Sequence, residues 1–270
     1  MKRVYTMFLS ILLMLCLYTP AMAETIQLTG SGIEPSSYHV HSGDIITGSG
    51  FSYMQIITVS GTGEVELTLR DANGSGSLII KPDADVTSLK LKLEGENKVD
   101  AFAAMMTLTV MGSGSLECET SDGAAVCIYG DMTVNGGNIA ARGDYLGIAL
   151  EQGTLTINAG TVSAENTGAS DRGAIASAWG LGGPFGLYKP YNETIVLGEG
   201  NYSIEAGASA DDAQSASGYN GERYLHIVHQ GIQEPVVPET GDHFHSLLWS
   251  ALLLISIIGM IHLLQKRREA

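Results

Sequence analysis

Few side chains in this 270-residue chain are of a type and spacing that could do chemistry. Asp83 and Asp85, in the stretch Lys81-Pro82-Asp83-Ala84-Asp85-Val86, share one side of an extended segment. They offer hard oxygen ligands of the kind Ca2+ takes, and a solvated turn is the alternative reading. Trp179, Phe185, Tyr188 and Tyr191 fall within 13 residues of one another. Aromatic faces give an apolar platform for the C–H face of a sugar, and tyrosine hydroxyls add a hydrogen-bonding rim. Trp179, Tyr188 and Tyr191 are therefore the candidate ligand-binding residues; the competing role is to cover an exposed end of the fold. His39 and His41 lie two apart on one strand face, with no third metal ligand apparent.

Cleavage of a polysaccharide would need converging carboxylates, or Ca2+ beside an Arg or Lys base, on one face. Carboxylates are plentiful, but Arg70, Arg142, Arg172 and the few lysines are not expected to recur in register with them. The chain is thus expected to be non-enzymatic, with no catalytic residue and no obligatory cofactor, Ca2+ at Asp83 and Asp85 being the one candidate. Arg142-Gly143-Asp144 spells a tripeptide that some integrins recognise, in a turn where Gly and Asp are expected anyway.

The elements that position these residues begin with an export signal. Residues 1–23 carry Lys2-Arg3, an apolar run, Pro20 and the small-residue site Ala21-Met22-Ala23, which reads as a signal peptide cleaved after Ala23. An uncleaved anchor is the alternative. Setting aside Lys2, Arg3 and Lys266 to Arg268 leaves nine basic residues; setting aside Asp242 and Glu269 leaves 27 acidic ones, a net charge of −18 on the exported body. That balance argues against nucleic acid and anionic lipid as partners. Cys118 and Cys127 are the only cysteines of the body, too few for a disulfide scaffold. Cys118 shares parity with Leu116 and should point inward, Cys127 outward, which disfavours a bond between them.

The body repeats. The segments beginning Leu108-Thr109-Val110, Met132-Thr133-Val134 and Leu155-Thr156-Ile157 each continue through a glycine turn, a second strand, a variable turn and a third apolar strand. The steps are 24 and 23 residues. Units of this length cannot bury their own apolar face and must stack on a neighbour. Three short strands and three turns per unit describe one coil of a parallel β-helix, with Thr109, Thr133 and Thr156 outside and their neighbours filling the bore. Asn135 and Asn158 fall at matching turns where stacked amides can bond. A β-sandwich has similar strand content but no reason to repeat its turn chemistry at this period.

The fold class is therefore all-β: a right-handed parallel β-helix with irregular caps, between an N-terminal signal helix and a C-terminal transmembrane helix. Residues 24–62 supply an N-terminal β cap and the first coils, 63–180 the helix repeats, 181–230 a C-terminal β cap, and 231–241 a linker. The stretches Asp85 to Val99, Leu108 to Glu119, Gly123 to Ala141 and Gly153 to Glu165 resemble the right-handed β-helix domains of secreted proteins from anaerobic Gram-positive bacteria. The likeness covers roughly residues 40–225 and implies a carbohydrate-binding or adhesin-like role.

The chain closes with Val237-Pro238-Glu239-Thr240-Gly241, an apolar run from Leu247 to Leu264, and a basic tail over 265–270 that includes Lys266-Arg267-Arg268. As a helix, the 18-residue run reaches about 27 Å, enough to span a bilayer core, and the basic tail marks the cytoplasmic side. This arrangement resembles the cell-wall sorting signal of Gram-positive surface proteins, with Val237 in place of the usual leucine. The resemblance implies that a sortase breaks the Thr240–Gly241 bond through its cysteine thiolate and passes the Thr240 carboxyl to a peptidoglycan amine. Pro238 fixes an extended, kinked peptide, and Gly241 leaves the scissile bond unobstructed. The expected place is the outer surface of a Gram-positive cell, with sortase, peptidoglycan and a glycan as partners and the membrane engaged through 247–264. Retention of the span without cleavage is the alternative.

Overall fold

Apolar residues at every second position, interrupted by glycine-bearing corners, leave one way to bury side chains: short strands stacked coil upon coil. The computed structural model describes residues 23–30, 34–168, 172–178 and 194–230, and these form an all-β solenoid of about six turns. The chain climbs through β1 (Thr25–Leu28) and β2 (Ser36–His41), β3 (Ile45–Phe51) and β4 (Gln55–Ser60), then β5 (Gly63–Gly74) and β6 (Leu78–Pro82). It continues through β7 (Val86–Glu94), β8 (Glu96–Val99) and β9 (Phe102–Ala104), then β10 (Thr107–Gly112), β11 (Ser115–Thr120) and β12 (Ala124–Ile128). The last full coils are β13 (Met132–Gly143) with β14 (Leu146–Glu151), and β15 (Leu155–Asn166) with β16 (Ile175–Ala178).

Two sheets result. A wide sheet orders β1-β3-β5-β7-β10-β13-β15 and wraps two sides of the coil, since β13 pairs first with β10 and then with β11. A seven-stranded sheet orders β2-β4-β6-β9-β12-β14-β16 along the third side. Pairing within this stack is parallel throughout. The expected repeat is met in register at its strand starts: Leu108 lies opposite Met132, which lies opposite Leu155, and Val126, Ile148 and Ile175 line up on the third side, with register shifts on either side of Asn135 between β13 and β15.

The bore is built from such columns. Leu67, Leu91, Val110, Val134 and Ile157 stack in register, all fully buried. Leu78, Phe102, Val126, Ile148 and Ile175 form the facing column. Thr109, Thr133 and Thr156 stack outside them. Asn158 donates its Nδ2 to Asn135 Oδ1 at 2.8 Å, the amide ladder the matching turns imply. Gly112, Gly137 and Gly160 all take positive φ at the corner between the first two sides, and a Cβ at Gly112 would collide with the Leu93 carbonyl one coil below. Cys118 is buried in the bore, Cys127 is half-buried on the outside, and both are free thiols.

Two features depart from plain repetition. In β12 both Ala125 and Val126 face inward, so Ala124 and Leu146, which lie opposite each other, turn outward. At the far end β17 (Ile195–Leu197) still pairs in parallel with β15. The closing strands do not. β20 (Tyr224–His229) runs antiparallel to both β15 and β18 (Tyr202–Gly207), and β18 is antiparallel to β19 (Gln214–Ser215). Reversing direction ends the solenoid: Leu225 and Ile227 cover the bore beside Ala164 and Val162.

Candidate functional site

The outward positions divide into two unlike surfaces. On the wide sheet they carry charge and hydroxyls. Lys90 pairs with Glu64 at 2.5 Å and Lys98 with Glu117 at 2.5 Å, while Arg70 and Lys92 share Glu94 at 2.5 and 2.7 Å. Arg142 lies opposite Glu119 on one neighbouring coil and Glu165 on the other, at 3.7 and 2.9 Å. The sequence reading is corrected here: Arg70 and Arg142 do stand in register with carboxylates. Parallel stacking brings residues one coil apart side by side, so acids and bases about 23 positions distant meet across adjacent strands.

Those pairs shift their members as expected. Hydrogen bonds from Lys92 and then Arg70 hold the Glu94 carboxyl below the ordinary carboxylate range, and Glu64 and Glu117 raise the ammonium groups of Lys90 and Lys98. Two further cations serve the fold. Arg172 lies over the Tyr145 ring at 3.7 Å, and Arg223 donates to the Asn166 and Gly168 carbonyls. Seven of the eight basic side chains among the described residues are thereby committed to intramolecular partners. An arginine already bridging two glutamates is a poor base for lyase chemistry.

The seven-stranded sheet presents a different outer face. Ile56, Ile79, Ala103, Cys127, Ala149 and Ala176 oppose one another in succession, forming an apolar column along the solenoid. Tyr53 and Tyr145 precede strands of this sheet, while Met105 and Tyr129 follow strands of it. They are 38–43% exposed and make up four of the six large apolar side chains that the described residues expose. Met105 and Tyr129 occupy the same corner on adjacent coils, as the Tyr129 N–H bonded to the Ala104 carbonyl shows. Burial and, less so, Glu151 push the Cys127 thiol up to about 11. Burial also raises the Tyr129 phenol, with Cys127 and Glu151 adding to it.

The residues singled out in the sequence fall as follows. Asp83 and Asp85 are exposed in the corner between β6 and β7. Asp83 Oδ1 accepts the Ala84 N–H at 2.8 Å, its carbonyl accepts Val86 N–H, and the Asp85 carbonyl accepts Gly63 N–H. These bonds make a turn, and no group of three or more His, Cys, Asp or Glu among the described residues is placed to hold a metal. His39 and His41 are exposed on β2, with the His41 N–H bonded to Asp44 Oδ2. Arg142 is bridged as above and Asp144 Oδ1 accepts the Gly123 N–H at 2.6 Å, so two members of that tripeptide serve the coil. Trp179, Tyr188 and Tyr191 lie outside the described residues, as do Val237, Pro238, Glu239, Thr240 and Gly241 and the segments 1–22 and 247–264. No helix among the described residues is long and apolar enough to cross a membrane. Ala23 is the first described residue.

Met105, Tyr129 and Tyr145 were missed because single exposed aromatics carry no signal of their own. The place of Met105 and Tyr129 at the corner after the third strand, one coil apart, was available once the repeat was aligned, whereas Tyr145 lies at the corner before it. Comparison with known proteins finds no matching family model, no matching curated protein and no matching solved structure. The class therefore rests on the coordinates: a parallel β-solenoid protein. Within it, the flank of the seven-stranded sheet is the described surface with the chemistry of a ligand platform.

Proposed function

We propose that this chain is an exported, surface-displayed β-solenoid that binds glycan without cleaving it. The supporting observation is the asymmetry of the outer surface: ion-paired ladders on the wide sheet, and tyrosines beside an apolar column on the seven-stranded one. Sugar rings stack their C–H faces on such a surface, with tyrosine hydroxyls at its rim. A net charge of −18 on residues 24–240 favours neutral over acidic glycans. Trp179, Tyr188 and Tyr191 extend the same ligand chemistry. The coil is read as right-handed, the sense that parallel crossovers take almost without exception.

Display follows from the ends of the sequence: a signal peptide cleaved after Ala23, then sortase transfer at Thr240 to peptidoglycan, with 247–264 holding the chain in the membrane until then. Mass spectrometry of wall-released protein tests the anchoring; a C-terminus at Thr240 joined to a wall peptide is expected, and an intact Ala270 would overturn it. Binding is tested on a glycan array with the double variant Met105→Ala and Tyr129→Ala, two exposed side chains at one corner. Loss of binding at unchanged melting temperature is expected. Turnover of any arrayed polysaccharide would refute the non-enzymatic reading.

A further inference from the structure

Asp44 is the one buried acidic residue among those described. Its side chain is 7% exposed, in the corner between β2 and β3 at the start of the solenoid. Oδ2 accepts the His41 N–H at 2.7 Å, and Oδ1 accepts the Glu24 N–H at 2.9 Å. The Asp44 N–H donates to the His41 carbonyl at 3.1 Å, and its carbonyl accepts the Thr68 N–H at 3.0 Å. Asp44 thus links the residue before β1 to β5. Among the described residues the one basic side chain within ion-pair distance is His41, whose Nδ1 is 4.0 Å away on a side chain that is 74% exposed. A buried carboxylate held by neutral donors lacks the counter-charge that would offset its lost water.

The donor to Oδ1 has a particular place in the chain. Glu24 follows Ala23, the residue after which the signal peptide is expected to be cut. The Glu24 carbonyl accepts the Ile45 N–H at 2.8 Å, and Thr25 lies opposite Ile45, so bonds on the C-terminal side of the Glu24 nitrogen hold it in place. Ala23 and Glu24 are both exposed, which leaves the bond between them open to a peptidase. Hydrolysis puts the oxygen of water on the Ala23 carbonyl carbon and both its protons on the Glu24 nitrogen. A carboxylate departs with the leader, and an α-ammonium, which neutral pH keeps charged, remains 2.9 Å from Asp44 Oδ1.

We propose, resting on cleavage after Ala23, that removal of the leader turns the Glu24–Asp44 hydrogen bond into an ion pair, the mature N-terminus supplying the counter-charge of Asp44. The cut then does more than release the chain. It locks β1, the edge strand of the wide sheet, to the corner before β3 through a charge that the precursor lacks. Position is decisive, because a cut at another bond would place the ammonium away from Oδ1.

The test compares three forms of the chain by hydrogen exchange in detergent at neutral pH: residues 24–270 with a free α-amine, the same chain with that amine acetylated, and residues 21–270. The last two keep an amide N–H on Glu24 without the charge. Amides of β1 and of Ile45 should exchange about tenfold more slowly in the free-amine form, a factor between those of exposed and buried pairs. In Asp44→Asn that difference should vanish. Equal rates in the three forms, or a difference that persists in Asp44→Asn, would overturn the proposal. Should the Asn variant fail to fold, the acetylated chain, with every native side chain in place, decides alone. The mass of the exported protein separates the two readings: a first residue other than Glu24 removes the cleavage site and the ion pair together, whereas Glu24 with equal exchange removes the ion pair alone.

Discussion

The Tyr219 hydroxyl accepts the Ile175 N–H at 2.9 Å and donates to the Ile175 carbonyl at 3.1 Å. Ile175 belongs to β16, the last strand of the seven-stranded sheet among the described residues. One buried side chain thus bonds both backbone groups of Ile175 on the side away from β14. Exposed parallel edges invite pairing with other chains, so this contact guards the end of the solenoid as the antiparallel β20 guards the neighbouring side.

Replacing that hydroxyl tests its role. Tyr219→Phe keeps the ring and removes both bonds, which should cost about 1–3 kcal/mol through the unsatisfied backbone groups. Urea unfolding measures the loss. Light scattering should also show more self-association at high concentration; an unchanged midpoint and a monodisperse protein would show that the edge is protected by other means.

Inward and outward positions on neighbouring strands should respond very differently. Leu91 is fully buried in a stacked column, and Leu91→Ala is expected to cost about 2–5 kcal/mol. Thr109, on the neighbouring strand but facing out, should tolerate Ala within about 0.5 kcal/mol. Comparable losses at the two sites, measured by chemical denaturation, would contradict the parity described for the wide sheet.

Asn97 is buried and links three levels of the coil. Its Oδ1 accepts the Ala72 N–H at 3.0 Å, and its Nδ2 donates to the carbonyls of Glu94 and Ser115 at 3.2 and 2.9 Å. Asn97→Leu suits the apolar bore but strands three polar groups, so a loss of about 3 kcal/mol is expected. A leucine variant as stable as the parent would show that the network is dispensable.

The ion-pair ladders set a pH dependence of definite sign. Glu94 has a depressed folded pKa, so its contribution is present above the ordinary glutamate range, about 4.3, and is lost as pH falls through the lowered value. Lys90 and Lys98 are raised, so theirs is complete below the ordinary lysine value, about 10.4, and fades as pH rises beyond it. Glu94→Gln should therefore narrow its stability gap from the parent in acid, and high salt should shrink that gap at neutral pH. Denaturation midpoints across pH check both statements.

The two body thiols should separate in reactivity. Cys127, with a pKa near 11, reacts slowly at neutral pH and about tenfold faster per added pH unit until that value is passed. Cys118, buried in the bore and raised by that burial, should react only on unfolding. Rapid neutral labelling of Cys118 in folded protein would contradict its placement.

The coil was legible in the sequence because its signal is periodic: Leu108, Met132 and Leu155 repeat both spacing and turn chemistry, and stacking makes such repetition obligatory. The opposite faces of Cys118 and Cys127 followed from strand parity, and the Asn135–Asn158 bond from matching corners. The Arg142 ladder was missed because its partners are a whole coil away in sequence, where charges seem unrelated until the register is drawn. The inward pair Ala125 and Val126 breaks parity within a run of small apolar residues, which no alternation can reveal. The antiparallel closing strands were equally hidden, since strand direction leaves no trace in local pattern. The open flank of Met105 and Tyr129 emerges only when corners from separate coils are superposed.

The near-constant step of 24 and 23 residues between Leu108, Met132 and Leu155 has one further consequence. Each coil adds about 4.8 Å, the spacing of neighbouring strands, while leaving the coils on either side in the same relation. Excision or duplication of one such unit, residues 108–131 for instance, changes the length of the rod and nothing about its cross-section. The solenoid is graduated like a ruler, and the distance between its two ends can be altered in whole increments without redesigning either of them.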